Sequence, residues 1–147
     1  KFTQYEISNF SKEGFYSQHN SNYWKGEAYL GFGPSAHSFI GNQRIWNVAN
    51  NMKYMNALAT EKSYSESEII DEKTAFNEYV LTRLRTIWGV DLEYIRKHFN
   101  ESLNTHFNKE IQQYLNTSYL KIEQNKITLS QEGIFIADKI TADLFYV

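Results

Sequence analysis

The segment His19-Asn20-Ser21-Asn22-Tyr23-Trp24 places an imidazole beside amides and two large aromatic rings. A neutral imidazole coordinates transition metals such as iron, and flat ring faces pack on a flat macrocycle. The same composition also describes a plain structural loop, in which a histidine beside aromatics is held by hydrogen bonds. His37 is the second candidate, placed after the turn Gly31-Phe32-Gly33-Pro34-Ser35-Ala36. Its glycines permit close backbone approach to a ligand. They lack the third glycine and the strand-helix setting of a nucleotide fingerprint, so a tight turn between strands with a structural His37 is the alternative. His98 and His106 fall at the edges of apolar helical faces, and Met52 and Met55 share one face, where packing is their expected role. Glu78 and Arg85 are read as structural partners of each other or of a neighbouring segment. No nucleophile triad, carboxylate pair or multi-histidine spacing stands out, so no catalytic residue is assigned.

The elements that must position these residues follow from periodicity. Phe2 to Phe10 reads as one strand with Tyr5 and Ile7 on one face. Residues 11 to 28 show no period, which predicts that His19 and its neighbours lie on a loop or irregular turn. Short strands are expected within Tyr29 to Ile40 and at Arg44 to Val48, then a helix over Asn50 to Thr60. Ser65 with Glu68 matches a capping box for a long amphipathic helix carrying Ile69, Phe76, Val80, Leu84 and Ile87 and ending at Gly89. Asp91 caps a short helix, and residues 101 to 117 form another. Alternation of Leu120/Ile122 and Ile127/Leu129 about Gln124-Asn125 predicts a hairpin, and Ser130 caps a last helix. The fold class is α+β, and the order of elements from residue 65 resembles a small winged-helix unit.

Composition narrows the function. A chain of 147 residues with 41% hydrophobic and 16% aromatic content suits one packed domain, or a small domain with part of another. A formal charge of -2 gives no overall attraction to nucleic acid, and the helix before the hairpin offers Lys109 against Glu101 and Glu110. Nucleic-acid binding is therefore not expected. No stretch is apolar enough for a transmembrane helix, and the first residues lack a signal peptide's pattern, so a cytoplasmic protein is expected. The absence of cysteine excludes disulfides, thiol catalysis and any iron-sulfur cluster ligated by cysteines of this chain. The start at Lys1, directly before a strand-like run, suggests a piece of something longer.

Read in order, three motifs carry a family resemblance. Tyr5-Glu6-Ile7-Ser8-Asn9-Phe10, then His19-Asn20-x-x-Tyr23-Trp24, then Tyr29-Leu30-Gly31-x-Gly33-Pro34-x-Ala36-His37-Ser38 resemble the C-terminal third of the HemW group of radical S-adenosylmethionine (SAM) proteins. That group was long described as oxygen-independent coproporphyrinogen III oxidases. The later runs Leu84-Arg85-x-x-x-Gly89-Val90-Asp91-Leu92 and Leu129-Ser130-x-x-Gly133 are similar to the family's C-terminal domain. The resemblance implies that residues 1–60 are the last strands of an incomplete radical SAM α/β barrel and residues 61–147 a mostly helical, winged-helix-like C-terminal domain with a hairpin. It implies a parent that uses a [4Fe-4S] cluster and S-adenosylmethionine, neither ligated by cysteines of this chain, and that passes heme to an acceptor protein. His19 becomes the expected heme-iron ligand, with Asn20, Tyr23, Trp24 and His37 as further heme contacts. The alternatives are a parent that decarboxylates coproporphyrinogen III in porphyrin biosynthesis, or a binding module at residues 65–147. Exposed strand edges of a truncated barrel would favour self-association.

Overall fold

The computed structural model describes all 147 residues, which divide into two compact units. The larger unit joins residues 1–25 to 72–147, and the smaller comprises residues 26–71, a division drawn differently from a cut near residue 60.

At the start of the larger unit, the expected single strand is a hairpin. Strands β1 (Thr3–Glu6) and β2 (Asn9–Ser11) pair antiparallel, with Gln4 opposite Phe10. The Glu6 carboxylate causes the reversal: it accepts from the Ser8 N–H at 2.9 Å and from the Asn9 side-chain amide. Such local bonds compete with an extended ladder. The expected loop around His19 is also corrected, because Gln18–Lys25 form helix α1. The Ser17 hydroxyl accepts from the Asn20 N–H at 3.3 Å at its start, and Gly26, at φ +74°, follows its end.

The smaller unit is a three-stranded antiparallel sheet of order β3-β4-β5 with one helix. β3 (His37–Ile40), β4 (Gln43–Asn47) and β5 (Ser65–Ile69) surround α2 (Asn51–Ala59) in sequence. α2 forms where expected, its first turn held by the Asn50 side chain accepting from Lys53 N–H at 2.9 Å. The capping box at Ser65 is overturned. Ser65-Glu66-Ser67-Glu68-Ile69 alternates with period two, and the free edge of β4 takes it as a strand in which Arg44 bonds Glu68 at 2.9 Å. Pairing with a neighbouring strand overrides a local helix-start signal. Ile70 is this unit's one buried hydrophobic side chain, beside buried Ser38 and Asn47.

The remainder of the larger unit supplies most of the core. α3 begins at Glu72 and ends at Leu84, shorter than the expected Ile69-to-Gly89 helix, and buries Phe76, Val80 and Leu84. The two-residue strand β6 (Val90–Asp91) leads into α4 (Leu92–His98), where the Asp91 carboxylate accepts from the N–H groups of Glu93 and Tyr94. The helix expected over 101–117 is two pieces, α5 (Glu101–Glu110) and α6 (Gln112–Leu115). They are divided at Ile111, where the Tyr114 N–H bonds back three residues to the Ile111 carbonyl. Strands β7 (Leu120–Glu123) and β8 (Lys126–Leu129) form the expected hairpin, and the sheet order is β6-β8-β7. Gln124 and Asn125 both take positive φ, as a two-residue turn of this hand requires. The last helix also breaks in two, α7 (Gln131–Ile134) and α8 (Ala137–Leu144). Ser130 caps α7 by accepting from Gly133 N–H at 3.0 Å. Phe76, Val80, Ile95, Phe107, Ile127 and Ile140 are among the side chains that meet in one cluster.

Two predictions follow from this packing. A Cβ on Gly133 would lie 2.0 Å from the Tyr119 carbonyl oxygen, a backbone atom that cannot swing away. Gly133→Ala should therefore cost about 2–3 kcal/mol in a urea unfolding series, the scale of overpacking. The Tyr79 hydroxyl accepts from Asp91 N–H at 3.0 Å, its ring stacks on Tyr94 at 4.5 Å, and burial pushes its pKa from 10.0 up to about 12. Between those values the unfolded chain loses the proton first, so this contribution is full below pH 10 and fades as pH rises through about 12. Tyr79→Phe should flatten the fall in stability between those pH values, as measured by denaturant melts.

Candidate functional site

The site is built on Glu6. Only 2% of this residue is exposed, yet its carboxylate is fully used. One oxygen accepts from Arg85 Nε at 3.0 Å and Nη2 at 2.9 Å, and the other accepts the two bonds that fold the β1–β2 turn. A buried carboxylate persists only with such compensation. Two ties run from this hub to α1. The Arg85 guanidinium lies 5.7 Å from the centre of the Trp24 ring, and the Asn9 side-chain oxygen accepts from Asn20 Nδ2 at 3.4 Å. A third support sits at the helix end, where Lys25 Nζ lies 5.3 Å from the Trp88 ring and Arg83 Nη2 donates to the Lys25 carbonyl at 3.4 Å. Trp88 meets Tyr5 and Tyr16 edge-on, closing an aromatic cluster.

Helical spacing then divides the motif between two faces. At about 100° per residue, positions 21 and 24 share one side while 19 and 23 share the other. Ser21 is 6% exposed and Trp24 half-buried, and the Asn20 side chain reaches inward to Asn9. His19 is exposed, and Tyr23 is 50% exposed with its ring edge-on to Trp24 at 5.1 Å. His19 and Tyr23 thus lie four residues apart on the outer face, while Asn20 and Trp24 are engaged in holding the helix.

His37 belongs to the smaller unit, exposed at the start of β3 opposite Trp46. Its turn is the tight type foreseen as the alternative. A Cβ on Gly31 would lie 2.1 Å from the His37 carbonyl oxygen, so only glycine fits there. The Ser38 hydroxyl accepts from Gly31 N–H at 2.9 Å, Asn47 Nδ2 donates to the Gly33 carbonyl at 2.9 Å, and the Tyr54 hydroxyl accepts from Gly33 N–H at 3.3 Å.

Other candidates take structural roles. His98 stacks on Tyr94 at 3.9 Å with Nδ1 against the Tyr94 carbonyl, and His106 Nε2 bonds the Phe145 carbonyl at 2.9 Å. Met52 and Met55 are exposed rather than packed. Arg85, foreseen as structural, finds Glu6 as its partner. No three His, Cys, Asp or Glu side chains are grouped to hold a bare metal ion. A single imidazole instead suits an iron already held by a macrocycle. Two cavities, of about 220 Å³ beside Arg85 and Lys121 and about 470 Å³ beside Phe99 and Asn104, are lined by none of the five candidate residues. The candidate surface is a convex helix face.

Comparison with known proteins finds similarity along most of the chain. The sequence profile described as HemN C-terminal domain matches residues 70–136. Heme chaperone HemW of Lactococcus lactis is 29% identical over 139 residues, covering 95% of this chain and 36% of that protein. Heme chaperone HemW of Bacillus subtilis is 30% identical over 139 residues, covering 93% and 36%. Over most of its length the chain is similar to these HemW proteins, and it spans just over a third of their length. The solved structure of Escherichia coli coproporphyrinogen III oxidase (HemN), described as a radical SAM enzyme, shares the fold. Its TM-score is 0.69 at 13% identity, over 97% of this chain and 37% of that one.

Within residues 70–136, the later motifs have packing explanations. Leu84 and Val90 enter the core, Gly89 takes φ +67° against the Ile127 carbonyl, Asp91 caps α4, and Ser130 with Gly133 seats α7. Arg85 is the residue that reaches back to Glu6 and Trp24. The sequence reading missed Glu6 and Asn9 as positioning residues. The signal available was a carboxylate two and three residues before Ser8 and Asn9, a side-chain turn pattern.

Arg85→Ala should destabilise the protein by about 3 kcal/mol or more, since it leaves a buried carboxylate unpaired. Adding Glu6→Gln removes that charge, so the double variant should melt above Arg85→Ala alone. A double variant that is less stable instead would refute the hub.

Proposed function

We propose that this chain supplies the iron-contacting face of a heme-carrying protein, with His19 as the ligand to heme iron and Tyr23 as an adjacent ring contact. The observation that carries this is the outward placement of His19 on a helix whose opposite face is anchored to a buried ion pair. An exposed imidazole is free to coordinate, and an anchored helix holds it at low entropic penalty. Asn20 and Trp24 serve the site by orienting α1, and His37 is the second candidate ligand. The names of the relatives support a parent of HemW type that delivers heme to an acceptor protein, and a cytoplasmic location is part of this reading.

In this reading residues 1–60 end an incomplete radical SAM barrel and residues 61–147 form the C-terminal domain. The order α3-β6-α4-α5-α6-β7-β8, with sheet order β6-β8-β7, supports a winged-helix-like description of the latter. Its α5 carries one lysine, Lys109, engaged by Glu110 at 3.0 Å, which favours a docking role over nucleic-acid contact. The cluster and S-adenosylmethionine of the parent would supply radical chemistry from residues outside this cysteine-free sequence.

Ferric heme titrated into the chain should give a histidine-ligated absorption spectrum. His19→Ala should shift that spectrum and weaken binding at least about tenfold, the lower end of what losing even an outer-shell partner does at metal sites. Unchanged spectrum and affinity would remove His19 from the site.

A further inference from the structure

The groove of about 220 Å³ beside Arg85 and Lys121 has no part in the site on α1, and it is built entirely within the larger unit. One side is β1 with the segment Arg85 to Ile87, tied together by Ile7 N–H bonding to the Arg85 carbonyl at 3.0 Å and Ile87 N–H to the Tyr5 carbonyl at 3.1 Å. The other side is the β7–β8 hairpin with α7. Lys121 and Thr128 stand directly opposite each other across β7 and β8, so both side chains leave the hairpin on one face. Thr128 adjoins Ile127, which is buried in the core, and strand alternation therefore turns the Lys121–Thr128 face away from that core.

The polar groups lining this groove differ in what they still lack. Glu6 is the one acidic side chain there, and its carboxylate is taken up by Arg85, Ser8 and Asn9. Arg85 spends Nε and Nη2 on that bond and keeps Nη1. Lys121 is exposed and makes no ion pair, and the Thr128 hydroxyl and Gln131 amide make no hydrogen bond within the chain. Glu6 and Arg85 cancel, so the lining carries one uncompensated positive charge. Ile7, Ile87 and Ile134 supply apolar wall around it. Unspent donors and a single positive charge beside branched aliphatic side chains match a singly charged acid with an aliphatic body. A phosphate monoester, at up to about two negative charges, exceeds what this lining balances. At about 30 Å³ per water the groove has room for about seven, the scale of one amino acid.

We propose that this groove binds an aliphatic monocarboxylate about the size of one amino acid residue, its carboxylate on Lys121, Arg85 and Thr128 and its carbon chain against the three isoleucines. None of the five heme candidates lines the groove, so the assignment stands or falls apart from the heme reading. N-acetyl-leucine titrated into the isotopically labelled chain should shift the amide resonances of Ile87, Lys121 and Thr128 to saturation, and N-acetyl-leucine amide should not. Lys121→Gln should weaken binding about tenfold, the scale of one charge-assisted hydrogen bond. Its side chain is exposed and unpaired, so the thermal melt should not move; Thr128→Val, which removes only the hydroxyl, is the second variant and should also weaken binding. Inorganic phosphate should not displace the acid.

A tetrapeptide ending in leucine separates two sources of the same carboxylate. Comparable binding identifies the end of a partner chain, binding weaker by tenfold identifies a free acid, and either upholds the site. Equal shifts with the amide, undiminished binding by both variants, or displacement by phosphate would overturn it.

Discussion

A carboxylate removed from water dictates much of what surrounds it, and here that group is Glu6. Buried without partners, its charge would carry a large desolvation penalty, so the chain must bring donors to it. Two come from the next three residues and fold the first hairpin; two come from Arg85, 79 residues on. The arginine that satisfies the charge also lies against Trp24, and the asparagine that satisfies it also holds Asn20. One electrostatic requirement thereby connects the hairpin, α1 and the segment after α3 that carries Arg85. The motif around Glu6 and the motif containing Arg85, far apart in sequence, are thus parts of the same arrangement.

The division of the His19 motif follows. A helix of eight residues has room for one anchored side and one presented side, and Ser21 with Trp24 occupies the first. Asn20 and Trp24 therefore matter to a ligand through the angle at which they hold His19 and Tyr23. A motif read along the sequence as one binding surface is, on the helix, a handle and a face.

Much of this was legible in advance. The Gln124-Asn125 hairpin, the Asp91 cap, the α2 helix and the core positions Phe76, Val80 and Leu84 rest on local turn chemistry or long periodicity, and they stand as read. The misread segments share a physical cause. α1 lacks an apolar period because its inner face is mainly Ser21, Trp24 and an asparagine bond, so its helical signal was confined to Ser17 and Gly26 at its ends. β5 carries a sound capping pattern, and only the open edge of β4 makes it a strand. The Glu6–Arg85 pair could not be read from either neighbourhood, since each charge has nearer alternatives in sequence.

The smaller unit has a different kind of cohesion. With Ile70 as its buried hydrophobic side chain and Ser38 and Asn47 as its buried polar ones, residues 26–71 are held chiefly by ladder bonds and by hydrogen bonds onto the Gly31–Gly33 backbone. Denaturant sensitivity and heat-capacity change both scale with the apolar surface that an opening exposes. Opening of this sheet would therefore release little such surface. Its amides would exchange with solvent through excursions almost indifferent to urea, whereas those of α3 and α8 would exchange only when the aromatic-rich core comes apart.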